Sequence, residues 1–249
     1  MLTTLIPLAD VVASDRLDFA FHNPLREGQI AVADDCATKR LGELCVSIRT
    51  GKTAAKGAYT DRGVRIVKVK NVRGDGMDWS HAFHVDEAFH EKARQKASVR
   101  PLDILMLCSA HSAIYIGRAD IVTDMPGDVE RDGGRCLAVG ELIVIRADPA
   151  LVNPEYLLAF LRLDATREKI GRMVKGQSAH LYPADLRELE VVLPPRPVQD
   201  RIARINRDAE VAHRSALRRA KDDLAAAKAL IRAAVFQDGA APEQRPHAS

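Results

Sequence analysis

At 249 residues with 47% hydrophobic content, the chain suits one medium domain with a real core, alone or with an appended element. Aromatics are only 4%, so that core rests on Leu, Val, Ile and Ala, and a net charge of +3 is too small to name a partner. The longest apolar runs, such as Ile104–Cys108, are far too short to cross a bilayer, which excludes a membrane-spanning protein and points to a soluble one.

The opening Met1–Pro7 is apolar but has no basic leader and soon meets Asp10, so it does not read as a signal peptide. Residues 1–38 continue through turn-prone stretches around Asp18–Asn23 and Pro24, and are expected to form an N-terminal segment packed on the main domain. That domain is placed at 39–196. Within it Val64–Lys70 alternates apolar and basic residues apart from one doubled step, which predicts a half-buried strand with cations on one face. Asp103–Cys108 and Leu142–Ile145 are short, apolar and rich in branched residues, the pattern of buried strands. Turn residues crowd Gly74-Asp75-Gly76 and the stretch from Gly127 to Gly134. Asn153-Pro154-Glu155 reads as a helix start, with Asn as N-cap, Pro in the first turn and Glu against the helix dipole. Thr166–Val174 either extends that helix or forms a second one. Leu189–Leu193 reads as a last strand before a proline stop. Strands and helices that mix without strict alternation predict an α+β fold.

After Pro194-Pro195-Arg196-Pro197 the composition changes, and neither Pro nor Gly recurs until Gly239. Residues 197–237 are expected to form one long helix, roughly 60 Å at about 1.5 Å per residue. Ile202, Ile205, Ala209, Ala212, Ala216, Ala220, Leu224, Ala227, Ile231 and Ala234 recur in steps of three and four, heptad spacing with a stutter. This narrow seam needs a partner surface: a second helix in a coiled coil, or the chain's own domain. Residues 238–249 are a polar tail expected to be disordered.

The strongest charge feature runs from Arg49 to Arg73, where eight cations (Arg49, Lys52, Lys56, Arg62, Arg65, Lys68, Lys70, Arg73) face the single acid Asp61. Such a stripe suits phosphate contacts that release condensed counterions, or it is simply a solvated basic face. Thr50-Gly51-Lys52-Thr53 has the ending of a nucleotide-binding loop, but Val46 stands where the motif needs its first glycine, so a loop meeting a phosphate backbone fits better. His81, His84 and His90 lie near Asp78, Asp86 and Glu87 without metal-ligand spacing, and are expected to be surface histidines in a loop. Cys108 with His111 suggests a thiol nucleophile, but the end of an apolar run is the place of a small buried residue. Cys36, Cys45, Cys108 and Cys136 are widely spaced, which argues against a disulfide framework and for a reducing cytoplasm. No catalytic motif, metal site or cofactor fingerprint emerges.

The order of motifs resembles the specificity subunits of type I restriction-modification systems. The matching stretches begin with Leu41-Gly42-Glu43-Leu44, Thr50-Gly51-Lys52-Thr53 and Val67-Lys68-Val69-Lys70-Asn71-Val72. Asp103-Ile104-Leu105, Asn153-Pro154-Glu155-Tyr156-Leu157 and Gly176-Gln177-Ser178 with Leu181 come next, and Leu193-Pro194-Pro195 with Gln199 and Ile202 closes the series. Asp15-Arg16-Leu17-Asp18 is similar to the start of some members. The chain departs from the pattern at Leu102, where a Gly commonly precedes the Asp, and at Val198, which replaces an acid before Gln199.

The resemblance implies one DNA target-recognition domain over 39–196 and a dimerisation and spacer helix over 197–237. This is half of the usual arrangement, in which two recognition domains are separated by two antiparallel helices. Such a half would act as a homodimer on a bipartite, palindromic site in double-stranded DNA. Its partners would be an adenine methyltransferase subunit and, where present, a restriction subunit, with no membrane, no cofactor and no catalysis of its own. The DNA-binding set is Lys52, Thr53, Lys56, Arg65, Lys68, Lys70, Asn71, Arg73, Lys175, Gln177, Ser178 and His180. The cations would hold phosphates, while Asn71, Gln177, Ser178 and His180 would read base edges. A loop-capping amide is the competing reading for Gln177. Two other readings stay open: a protein-binding adaptor whose basic stripe is incidental, and a catalytic nuclease or methyltransferase.

Overall fold

The computed structural model describes residues 36–110, 112–176 and 179–235. The expected N-terminal segment up to residue 35, the tail from 238, and His111, Gln177 and Ser178 lie outside the described residues. The chain forms two units, one running to Arg207 and the other beginning at Asp208. The fold is α+β, with mixed sheets followed by a long C-terminal helix.

In the first unit β1 (Ala37–Arg40) pairs antiparallel with β10 (Glu190–Leu193). An antiparallel sheet takes β2 (Cys45–Thr50), β9 (Leu142–Ala147), β6 (Ile104–Leu107) and β7 (Ala119–Ile121), in that spatial order. A second sheet takes β3 (Tyr59–Thr60), β5 (His84–Val85), β4 (Val64–Val67) and β8 (Cys136–Ala138), with β4 and β8 parallel. The helices are α1 (Glu87–Ala97), α2 (Gly127–Arg131), α3 (Pro154–Arg162), α4 (Asp164–Arg172), α5 (Pro183–Arg187) and α6 (Arg196–Val235).

The β2–β9–β6–β7 sheet is the middle layer. Ile104 and Met106 of β6, with Ile143 and Ile145 of β9, face a core shared with α3, α4 and α5. Leu105, Leu107, Leu142 and Val144 face the other core, built with the second sheet and α1. Strands covered on both faces read as unbroken apolar runs, which is why Asp103–Cys108 and Leu142–Ile145 were recognisable as buried strands. Asn153 caps α3 by accepting from the amides of Glu155 (2.9 Å) and Tyr156 (3.2 Å), and α4 is a separate helix.

Three expectations are corrected. The run from Val64 to Lys70 is a strand only to Val67, all four of its residues are buried, and a 3-10 turn at Val69–Asn71 comes after it. Arg65 is tolerated inside because Asp128 neutralises it. The Gly127–Gly134 stretch holds the short helix α2 rather than turns alone. The histidines do not share a loop: His84 lies in β5, 3.5 Å from Asp128, and His90 is buried on α1. All four cysteines are free.

Leu102 sits in backbone that suits a glycine. Its φ is 68°, left-handed backbone that costs a non-glycine residue about 1–2 kcal/mol. It is held there by Leu102 N–H donating to the Val122 carbonyl at 2.7 Å, and Asp103 N–H to that of Arg100 at 3.1 Å. The side chain is 43% exposed, so little packing offsets the strain. Leu102→Gly is therefore expected to leave stability unchanged or raise it by up to about 1 kcal/mol in urea unfolding, glycine's greater unfolded-state entropy taking back part of the relief. A loss beyond about 1 kcal/mol would show that the side chain packs.

The first turns of α6 belong to the first unit. Gln199 is buried, accepting from the Asn153 amide at 3.0 Å and donating to the Pro194 carbonyl at 2.9 Å. Asp200 accepts from Asn153 Nδ2 (2.8 Å) and pairs with Arg196 (3.0 Å); these contacts hold its pKa below the usual carboxylate value. Ile202 is half-buried against the core. In the second unit, helix runs to Val235 and Ala209, Ala212, Ala216, Ala220, Leu224, Ala227 and Ile231 are all exposed, as is Ile205 just before it. No helix among the described residues is long and apolar enough to cross a membrane.

Candidate nucleic-acid interface

Strand register decides which loops meet. Pairing Thr50 with Ile143 and Leu107 with Leu142 sets the C-terminal ends of β2 and β6 beside the start of β9, and Met106 opposite Ala119 brings the start of β7 there. Val139 N–H donates to the Val67 carbonyl at 3.0 Å, so the end of β4 joins the same edge. One rim thus carries Gly51–Thr53, Lys68–Arg73, Ser109-Ala110, Ser112–Arg118 and Gly140-Glu141. Lys175 and His180 are tied to it. They exchange backbone hydrogen bonds of 2.8 Å, and Leu181 N–H donates to the Cys108 carbonyl at 2.9 Å.

Two glycines let these segments close up. A Cβ on Gly51 would lie 2.2 Å from the Ala138 carbonyl oxygen, and one on Gly140 would lie 2.4 Å from Thr53 Oγ1. The Gly51-Lys52 turn is therefore backbone pressed on backbone, with no hollow for a nucleotide. It presents Lys52 and Thr53 outward: Lys52 Nζ sits 3.4 Å from the Lys92 carbonyl, and Thr53 Oγ1 is 3.3 Å from Glu141.

Lys52, Thr53, Lys56, Lys70, Arg73 and Lys175 are exposed. Arg73 lies 3.4 Å from Asp78 and Lys175 2.8 Å from Asp185, surface pairs that contribute little and exchange readily for other anions. Lys68 is half-buried, its ammonium 3.9 Å from the Tyr59 ring centre and 4.7 Å from that of Phe83. His180 is half-buried and tilted against Tyr182. A cleft of about 390 Å³ opens in the rim, with Lys70, Arg73, His81, Tyr115 and Arg118 around an apolar floor that includes Leu107.

Burial revises the expected DNA-binding set at two positions. Arg65 is 5% exposed, and its guanidinium donates to Asp128 (2.8 Å) and to the carbonyls of Trp79 (2.7 Å) and His81 (3.1 Å). Asn71 is 1% exposed and spends its amide on the Asp78 and His81 carbonyls, while its oxygen accepts from the Lys68 amide. Both residues pin the loop ahead of β5 and have nothing left for a phosphate or a base.

Asp120 is the keystone of this rim. It is fully buried and accepts from the amides of Arg73 (2.6 Å), Gly74 (2.8 Å) and Gly76 (2.9 Å), and from the Arg162 guanidinium. Burial pushes its carboxyl pKa up, and those partners oppose the shift. Cys108 is buried and its thiol pKa is pushed up to about 12, which keeps it protonated and unreactive at neutral pH. Arg118 and Tyr115 carry no signal in the sequence that sets them apart, and His81 stands out there only as a surface histidine outside the DNA-binding set. Gly117 before Arg118 is a turn mark without a charge cluster around it.

No family model and no curated protein matches the chain. Solved structures do. A chain from a type I R-M system, solved for its complex assembly and conformational transition, superposes with a TM-score of 0.57 at 19% identity, covering 90% of this chain and 50% of that one. The HsdS subunit from Thermoanaerobacter tengcongensis superposes at 0.51 and 18% identity, covering 85% of this chain and 45% of that one. This chain therefore spans about half the length of those it matches, and shares with them a fold.

Proposed function

We propose that this chain carries a recognition domain and a spacer helix of a DNA-specificity subunit of the type I restriction-modification kind. The observation that carries the reading is the basic rim, where loops from separate strands converge on one exposed, cation-lined cleft. The fold shared over half of an HsdS subunit agrees with it. In this reading Lys52, Lys56, Lys70, Arg73 and Lys175 hold phosphates and fix register, and Gln177, Ser178 and His180 read base edges. The chain chooses the site. An adenine methyltransferase subunit, and an endonuclease subunit where one is present, supplies the chemistry in the cytoplasm. Two copies joined through α6 would read a bipartite, palindromic site.

The test is selection of duplexes from a randomised pool by the purified full chain, followed by binding measured across salt. A recurrent bipartite motif is expected; no sequence preference at any salt concentration sinks the reading. Two variants then separate the roles. Lys52→Ala should weaken selected and random duplexes alike and lower the salt slope by about one. Gln177→Ala should cost about 1–3 kcal/mol on the selected duplex alone. Equal losses on both duplexes would return Gln177 to a loop-capping role.

A further inference from the structure

Buried and half-buried arginines in the first unit mostly have partners. Arg49 donates to the carbonyls of Lys96 and Ser98, Arg146 holds Asp103, and Arg162 holds Asp120. Arg118 is different. It is half-buried in the cleft, yet its guanidinium has no hydrogen bond or ion pair with any described residue. The cations Lys70 and Arg73 line the same cleft, and Arg118, after burial itself, lowers the Arg167 pKa. A partly desolvated cation among cations favours a ligand that brings acceptors.

The group is also held still. Leu107 N–H donates to the Arg118 carbonyl at 2.8 Å, and Arg118 N–H to that of Tyr115 at 3.1 Å, which fixes the backbone at the start of β7. The stem lies on Gly74, where a Cβ would come within 3.0 Å of Arg118 Cγ. The guanidinium carbon sits 4.6 Å from the Tyr115 ring centre. Asp120, by holding the Gly74 amide, sets the wall against which that stem rests. Beside this stack Ile114 is 76% exposed, an apolar side chain with no part in the core.

We propose that Arg118 is a base-reading residue whose fork pairs with the O6 and N7 acceptors of a guanine in the major groove, with Ile114 against a neighbouring base, best a thymine methyl. This rests on the reading of the chain as a DNA-specificity subunit. A phosphate is served well by a mobile lysine on the outer rim. An immobilised planar fork has its advantage where two acceptors lie in one plane at fixed separation, as on a guanine edge. A rigid β-strand start holds that geometry better than a free loop.

The experiment uses the full chain, its Arg118→Ala and Arg118→Lys variants, and a duplex selected from a randomised pool. Wild type should select an invariant G·C pair, and both variants should lose preference at that pair while keeping the rest of the motif. Affinity for the selected duplex should fall about 5- to 100-fold in both variants, with less than about threefold change on random duplexes. Replacing that guanine by 7-deazaguanine should weaken wild type and leave Arg118→Ala unchanged. Melting of Arg118→Lys at the wild-type temperature checks the fold. A uniform loss on selected and random duplexes makes Arg118 a phosphate contact and overturns the proposal, as does an unchanged motif in both variants; the DNA-specificity reading survives either result. Failure of wild type to select any motif overturns both.

Discussion

Asp120→Ala is expected to be the most destabilising single change in the first unit, at about 3–5 kcal/mol. The carboxylate is fully buried and the Arg162 side chain is only 17% exposed, so truncation takes the facing carboxylate from a cation that water reaches poorly. It also removes the acceptor from the amides of Arg73, Gly74 and Gly76. For a chain of this size the loss corresponds to a fall in Tm on the order of 10 °C. The cause can be checked with a second change. Arg162→Met on the Asp120→Ala background removes the charge that has lost its carboxylate and should recover part of the loss, because an apolar replacement of a buried pair costs far less than half a pair. No recovery would mean that the three amides, rather than the ion pair, dominate. DNA binding by the single variant should fall as well, since Gly74 and Arg73 border the cleft around Arg118.

How far these features were legible in the sequence depends on where their partners lie. The N-cap at Asn153 was readable because its acceptors and donors are two and three residues apart. β6 and the Leu142–Ile145 part of β9 were readable because burial on both faces leaves no polar position in those runs. Arg65 was misread because the acid that neutralises it, Asp128, is 63 residues away, and from local sequence a cation in an alternating run looks like a surface residue. Helix α1 escaped because its buried positions are His90, Ala93 and Ala97, a spacing correct for a helix but marked by a single large apolar side chain, the half-buried Phe89. The cleft was the least legible feature. It is assembled by the register of β2, β9, β6 and β7, and no local window contains that register.

The second large effect lies in α6. Leu217, Leu224 and Ile231 recur every seven residues and are 42%, 56% and 62% exposed, with Ala220 and Ala227 three residues after the first two. Leu217 was not in the seam read from the sequence, which took Ala216 and so needed a stutter; a heptad through Leu217 needs none over this stretch. Fully burying an aliphatic side chain of this size contributes about 1.5–3 kcal/mol relative to exposure, and a helix pair would cover three from each copy. Small Ala between them lets the two backbones approach. Leu224→Glu sets a charge in the middle of that contact. The expected result is dimeric wild type and a monomeric variant in sedimentation at micromolar concentration, with the first unit melting unchanged. Binding to a bipartite duplex should weaken by about 10²- to 10⁴-fold, because the second half-site is no longer engaged at the high effective concentration the joined helices provide. Binding to an isolated half-site should not change, and that contrast separates a pairing defect from a damaged reader. A wild-type chain that stays monomeric with and without DNA, but loses methyltransferase binding on Leu224→Glu, would assign this stripe to the partner subunit instead of a second copy.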